Sequence, residues 1–246
     1  ELAKYCLASW EKYCPDYEII RWDESNFDLN ENSYVKEAYE HKKWAFITDY
    51  VRLKALYEIG GIYMDTDVKV NKSFDPLLKH PAFLNFIFDC SVGSAIIGAE
   101  KGNPLIKALL DMYDATVFGK NEDGKVFNRK DGKLVVDGYA TSNYYYTYHI
   151  LKNYPEFKLN NKFQDMKDFV IFPKEYFEIG TLTGKHYAVH LCAGEWRIKT
   201  DDSKSLKNRI KKTIQKCPFL FEKMQVVVRK RRYEQLKKDI PFYPYY

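Results

Sequence analysis

The chain has 246 residues, 46% of them hydrophobic and 30% charged. That balance argues against a disordered polymer and, with no run near the roughly 18 apolar residues of a spanning helix, against a membrane-embedded body. Lys and Arg number 39 against 34 Asp and Glu, a net of +5. The excess is local, because fourteen cations and only four acids lie between Lys199 and Lys238. A mildly acidic body, residues 1–198, therefore precedes a basic tail, residues 199–246, and such asymmetry points to anionic partners for the tail.

In chain order, apolar residues at helical spacing (Leu2, Cys6, Leu7, Trp10) predict a helix over 2–13 that Pro15 terminates, followed by a strand over 17–22. The pattern is helical again from about Ser33, and Trp44, Ile47, Val51, Ala55 and Ile59 recur three or four apart up to Gly60-Gly61. Gly60 is suited to the left-handed conformation that closes a helix. An extended run over 62–70 follows, interrupted by Asp65-Thr66-Asp67; strands are expected over 82–88 and 94–99, and Asn103-Pro104 reads as the cap and first residue of a helix to about Thr116. Residues 120–138 are turn-rich, with three Asp-Gly pairs, and 139–153 reads as a helix. Strands are expected at 169–172 and 187–191, and a basic helix at 207–216. Helices alternating with strands give an α/β fold. The five cysteines, Cys6, Cys14, Cys90, Cys192 and Cys217, are odd in number and lack a C-x-x-C pair. They favour a reducing compartment over a disulfide framework or structural zinc site.

The chemistry concentrates at Asp65-Thr66-Asp67. Two carboxylates two residues apart at a strand's end can face one point, and hard oxygen ligands of that kind suit Mg²⁺ or Mn²⁺. A solvated turn is the plain alternative. Asp49 and Arg52 share a face of the preceding helix, and the Gly60-Gly61 junction is short enough for them to converge on the same pocket.

The segment from Lys43 through Asp49, Arg52, Gly61, Tyr63, Asp65 and Asp67 to Val68 closely resembles glycosyltransferase family 32, the sugar-binding-region DXD transferases. The family includes capsular and surface polysaccharide transferases and fungal mannosyltransferases, and is distantly related to glucosylating bacterial toxins. The blocks 96–106 and 187–196 extend the resemblance over about residues 1–198. It implies a GT-A fold, with one Rossmann-like mixed sheet flanked by helices. It also implies a nucleotide-sugar donor, a divalent cation (Mn²⁺ or Mg²⁺) and retention of anomeric configuration. Asp65 and Asp67 match the metal and diphosphate site, and Asp49 and Arg52 the residues that hold the donor sugar. Gly61 and Tyr63 match pocket residues, His190 a residue near the metal, and Trp196 one near the diphosphate. Many relatives carry Ser where this chain has Glu195, and the resemblance implies a first sheet strand that family members usually place ahead of the segment starting at Glu1.

The expected activity is therefore transfer of a sugar, with a UDP-sugar favoured, to a glycan or lipid-linked acceptor in capsular or surface polysaccharide synthesis. Arg52 and a cation on Asp65 and Asp67 would stabilise the departing diphosphate. Two readings compete. A haloacid dehalogenase-like phosphohydrolase also uses D-x-D after a strand, but the later acidic pair here, Asp201-Asp202, follows no apolar strand. A binding module would keep the fold without turnover. In the tail, Val226 to Arg232 sets apolar beside cationic residues, a pattern for an anionic membrane surface, with a solvated helix face as the alternative. No specific nucleic-acid motif accompanies it. The expected location is cytoplasmic, peripheral at the inner face of the membrane.

Overall fold

Asparagine side chains start two of the helices. Asn32 Oδ1 accepts the Val35 N–H ahead of α2 (Ser33–Glu40), and Asn103 Oδ1 accepts from Leu105 and Ile106 with Pro104 at the first position of α4 (Pro104–Asp114). The computed structural model describes residues 1–116, 141–181, 184–192 and 213–243. The turn-rich segment 120–138, Trp196, the Asp201-Asp202 pair and most of the expected basic helix lie outside them.

Further helices among the described residues include α1 (Leu2–Tyr13), α3 (Trp44–Ile59), α5 (Ser142–Asn153) and α6 (Pro218–Leu236). Strands β1 (Gly61–Met64), β3 (Ala82–Ile87), β5 (Ile96–Ala99), β6 (Gln164–Met166) and β7 (Phe169–Phe172) form one sheet in the order β1-β5-β3-β7-β6, with β4 (Ser91–Val92) added to β3. The β3–β7 pair is parallel and the others antiparallel. A second, two-stranded ribbon pairs β2 (Val68–Val70) with β8 (Ala188–His190). The fold is thus mixed α/β, a central mixed sheet flanked by helices.

Side-chain alternation divides the core between the faces of the sheet. Leu84, Phe86, Ile97 and Ile171 pack with α3, α4 and α5, while Phe83, Ile96, Val170 and Phe172 meet Trp10, Phe74 and Phe177 on the other face. All six residues of β3 are buried, as expected of a strand covered on both sides. A third cluster joins Leu2 and Cys6 of α1, Val189 and Leu191, and Phe221 of α6, so the C-terminal helix packs on the ribbon.

Three expectations change. Residues 17–22 form no strand, and Ile19 and Ile20 are each half exposed along the cleft described below. The spacing in α3 marks the helix but not its inner face: Trp44 and Ile59 are more than half exposed, whereas Ile47 is buried with Phe46, Tyr50, Leu53 and Leu56. Apolar residues surround that helix almost evenly, so spacing alone does not identify its inner face. The run 62–70 is two strands belonging to two different sheets. Gly60 has a positive φ of 75° with ψ of −165°, an extended rather than left-handed helical closure. A Cβ there would come within 2.7 Å of the Lys101 nitrogen, so the position suits glycine on two counts.

Candidate active site

The Asp65-Thr66-Asp67 turn is the crossing point between the two sheets. β1 delivers Asp65, whose N–H donates to Ala95 O at 2.9 Å, and β2 leaves from Asp67, whose carbonyl accepts the Leu191 N–H at 2.9 Å. Helix α1 fixes the far side of β2, because Trp10 Nε1 donates to Val68 O at 2.7 Å and Ser9 Oγ accepts the Val70 N–H at 2.9 Å. Register then places His190, directly across from Val68, beside the turn.

The result is a cluster of three ligands suited to a divalent cation. His190 Nε2 lies 3.3 Å from Asp67 Oδ1 and 4.0 Å from Asp65 Oδ2, and one ligand atom from each residue falls within 4.8 Å of the others. Two carboxylates and an imidazole fit Mn²⁺ and Mg²⁺ chemistry, Mn²⁺ better on account of the nitrogen donor. Burial alone would lower the His190 pKa, yet Cys192, Glu178 and Asp67 hold it well above the ordinary value.

Asp49 and Arg52 meet as expected and are both buried. Arg52 Nη2 sits 2.8 Å from Asp49 Oδ1 and 3.9 Å from Asp65 Oδ1, linking the helix pair to the turn. Its other nitrogens are engaged as well: Nε bonds Thr48 O at 3.1 Å and Nη1 bonds Ser94 O at 2.6 Å. The guanidinium lies 4.6 Å from the Tyr63 ring centre, and the Tyr63 hydroxyl donates to Asp65 Oδ1 at 2.6 Å. Burial pushes Asp49 up to about 6, opposed by Arg52 and by hydrogen bonds from Ser142. Gly61 lines the same cleft with open space where a Cβ would stand.

That cleft, about 2220 Å³, opens over Asp49, Arg52, Asp65, Asp67 and His190 and is walled on one side by α6. Sequence reasoning placed α6 apart from the chemistry, but Arg229 is 3% exposed and reaches the residues behind His190. Glu178 accepts from both: His190 Nδ1 is 3.1 Å from its Oε1, and Arg229 Nη2 bonds the same oxygen. Burial would raise the Glu178 carboxyl, yet His190 and Arg229 together bring it down to about 2. Glu178, Ser142, Arg229 and Tyr233 were not anticipated. The one clue to Glu178 was an acid between Phe177 and Ile179, enclosed by residues that belong in a core.

Residues 1–84 match the model of a family described as a glycosyltransferase sugar-binding region containing a DXD motif. The match takes in Asp49, Arg52, Asp65 and Asp67 and ends well before His190. The chain is 33% identical over 96 residues to inositol phosphoceramide mannosyltransferase 3 of Schizosaccharomyces pombe, covering 37% of this chain and 27% of that protein. It is also 33% identical over 111 residues to mannosyl phosphorylinositol ceramide synthase SUR1 of Saccharomyces cerevisiae, 42% and 29% of the respective lengths. A third relative, mannosyl phosphorylinositol ceramide synthase CSH1 of the same yeast, is 31% identical over 101 residues, covering 37% of this chain and 25% of that protein. The chain thus spans less than a third of these relatives' length. No solved structure matches it.

Proposed function

We propose that the protein is a metal-dependent glycosyltransferase that moves a hexose, mannose foremost, from a nucleotide-sugar donor to a lipid-linked acceptor. The observation that carries this reading is the convergence of Asp65, Asp67 and His190 at the mouth of a cleft that also holds Asp49 and Arg52. Similarity to mannosyl-transferring relatives supports the sugar, and the ceramide in their names supports a lipid acceptor over a capsular glycan. The family match speaks for sugar transfer against phosphohydrolysis.

Asp65, Asp67 and His190 would hold Mn²⁺ or Mg²⁺, which when bound supplies Lewis-acid stabilisation to the diphosphate as the bond to the sugar breaks. Tyr63 and Arg52 keep Asp65 oriented in the apo chain, through a hydrogen bond and a nearby positive charge. Because each Arg52 nitrogen already has a partner in the protein, its main contribution is to hold Asp49 and Asp65 in place and to lend charge from a distance. Asp49 faces the cleft and is suited to accept from donor-sugar hydroxyls. Its attachment to Arg52 and Ser142 makes it a poor nucleophile, which favours same-face transfer with retained configuration. The exposed basic and apolar residues of α6 at the rim of the cleft, Val227, Val228, Arg231 and Arg232, are suited to an anionic membrane surface where such an acceptor resides. We place the protein peripherally at such a surface.

A panel of nucleotide sugars, GDP-mannose and UDP-hexoses among them, incubated with Mn²⁺ tests the reading. Hydrolysis of one donor should depend on the metal and fall at least a hundredfold in Asp67→Ala. Release of inorganic phosphate from simple phosphomonoesters, with every nucleotide sugar left intact, would replace it with the phosphohydrolase reading. Donor binding without turnover would leave a binding module.

A further inference from the structure

Behind His190, on the side away from the turn, lies a buried charge network that the reaction outlined above does not use. Glu178 is 1% exposed, and both its oxygens face His190 Nδ1, at 3.1 and 3.2 Å. Two groups from α6 close on it. Tyr233 donates to Oε1 at 2.6 Å, and Arg229 bonds the same oxygen through Nη2 while its Nη1 reaches the carbonyls of Glu178, at 2.8 Å, and His190. The backbones are tied as well, since the His190 N–H donates to Glu178 O at 3.2 Å.

We propose that Glu178, clamped by Arg229 and Tyr233, is a positioning residue that aims His190 at the Asp65–Asp67 pair. An ionised carboxylate only accepts, so the imidazole nitrogen facing it must carry a hydrogen. With Nδ1 committed to Glu178, Nε2 is the nitrogen left toward Asp67 and Asp65, at 3.3 and 4.0 Å, and the ring cannot rotate without abandoning both contacts. A carboxylate behind a ligating histidine fixes its tautomer and raises its basicity, and removing such a partner typically weakens metal binding about 10- to 100-fold.

A purely structural Glu178–Arg229 pair would not require His190 between Glu178 and the turn. Nor is the cluster of Glu178, His190 and Cys192 a second cation site, although its ligand atoms are close enough. The Arg229 guanidinium already supplies the positive charge at Glu178, and a divalent ion there would stand beside it. The C-terminal helix therefore takes part in the site from behind His190, through residues that all lie beyond the matched region 1–84.

The role rests on the metal reading of Asp65, Asp67 and His190, and the test separates the two. Mn²⁺ is titrated into the full chain and the free ion followed by electron paramagnetic resonance, for wild type, Glu178→Gln, Tyr233→Phe, His190→Ala and the Glu178→Gln/His190→Ala double variant. Glu178→Gln should bind Mn²⁺ about 10- to 100-fold more weakly and Tyr233→Phe a few-fold more weakly. In the His190→Ala background Glu178→Gln should change nothing further, because its effect passes through the imidazole. In metal-free wild type, ¹⁵N spectra should show the His190 Nδ1 proton protected from exchange, and Glu178→Gln should lose that protection. Should Glu178→Gln fail to fold, Tyr233→Phe keeps the shape of the core and decides by its affinity. Wild-type affinity in both variants, or an equal loss with and without His190, overturns the role alone. No Mn²⁺ binding by wild type overturns the metal reading and the role with it.

Discussion

Asp49 and Arg52 show how a buried ion pair can serve a site without touching the reacting atoms. Asp49 is 6% exposed, and burial pushes its carboxyl from 3.8 up to about 6 despite Arg52 and Ser142. The sign of the linkage follows. Between those two values the folded chain keeps a proton that the unfolded chain has released, so stability from this group is full below about pH 4 and is lost as pH rises through about 6. Urea unfolding across pH 4 to 7 should show that fall in wild type and lack it in Asp49→Asn; superimposable profiles would reject the assignment. The same protonation should weaken donor binding below about pH 6, where Asp49 no longer offers a full charge to sugar hydroxyls. At this scale the sequence was legible where partners lie close along the chain. The i,i+3 spacing announced Asp49 and Arg52, and D-x-D announced Asp65 and Asp67. His190 emerged only from the resemblance, and Glu178 not at all, because its partner Arg229 is 51 positions away and no local pattern marks a contact of that span.

Among the elements, β5 has a close approach that no helix or strand propensity foretells. A Cβ on Gly98 would fall 2.0 Å from the Phe83 ring, which is itself 2% exposed and stacked on Phe177. Gly98→Ala should therefore cost about 1–3 kcal/mol by overpacking, read as a lower urea midpoint with unchanged slope. Gly98→Ala combined with Phe83→Leu, which makes room, should recover part of it; a fully stable single variant would show that the ring yields freely. Most elements were foreseeable because their signals are local: Asn103-Pro104 opens α4, and apolar runs mark β3, where Asn85 is the single interruption, and β7. Failure came where a segment's environment is set from far away. Residues 17–22 have strand-like composition but lie along the cleft, and the inner face of α3 is chosen by the sheet beneath it, not by its own nearly uniform apolar surface.

For the whole molecule, the +5 charge resolves into two uses of the same C-terminal segment. Arg229 is spent inside, on Glu178, whereas Lys230, Arg231 and Arg232 are exposed beside Val227 and Val228, which are 66% and 50% exposed. Deleting the tail would confound the two, since Phe221 and Arg229 belong to the core. Arg231→Glu with Arg232→Glu changes two exposed side chains at the rim of the cleft and leaves that core in place. That double variant should lose binding to anionic vesicles that wild type shows at low salt, and wild-type binding should weaken as salt rises. Equal binding by both proteins would remove the membrane surface from the account. The acidic body and basic tail were plain in composition, but their physical contact was not, because hydropathy and charge counts carry no information about which arginine turns inward.

The ribbon of β2 and β8 is only three residues long on each strand, yet it carries Asp67 at one end and His190 opposite Val68. Parting those two strands withdraws an imidazole and a carboxylate from the cluster in a single event, while the larger sheet can stay intact. Occupancy of the cluster by a cation would in turn act as a rivet on the seam between the sheets. Holding that cation would stiffen the joint between the two sheets, so that the chain would become mechanically more cohesive as the cluster fills.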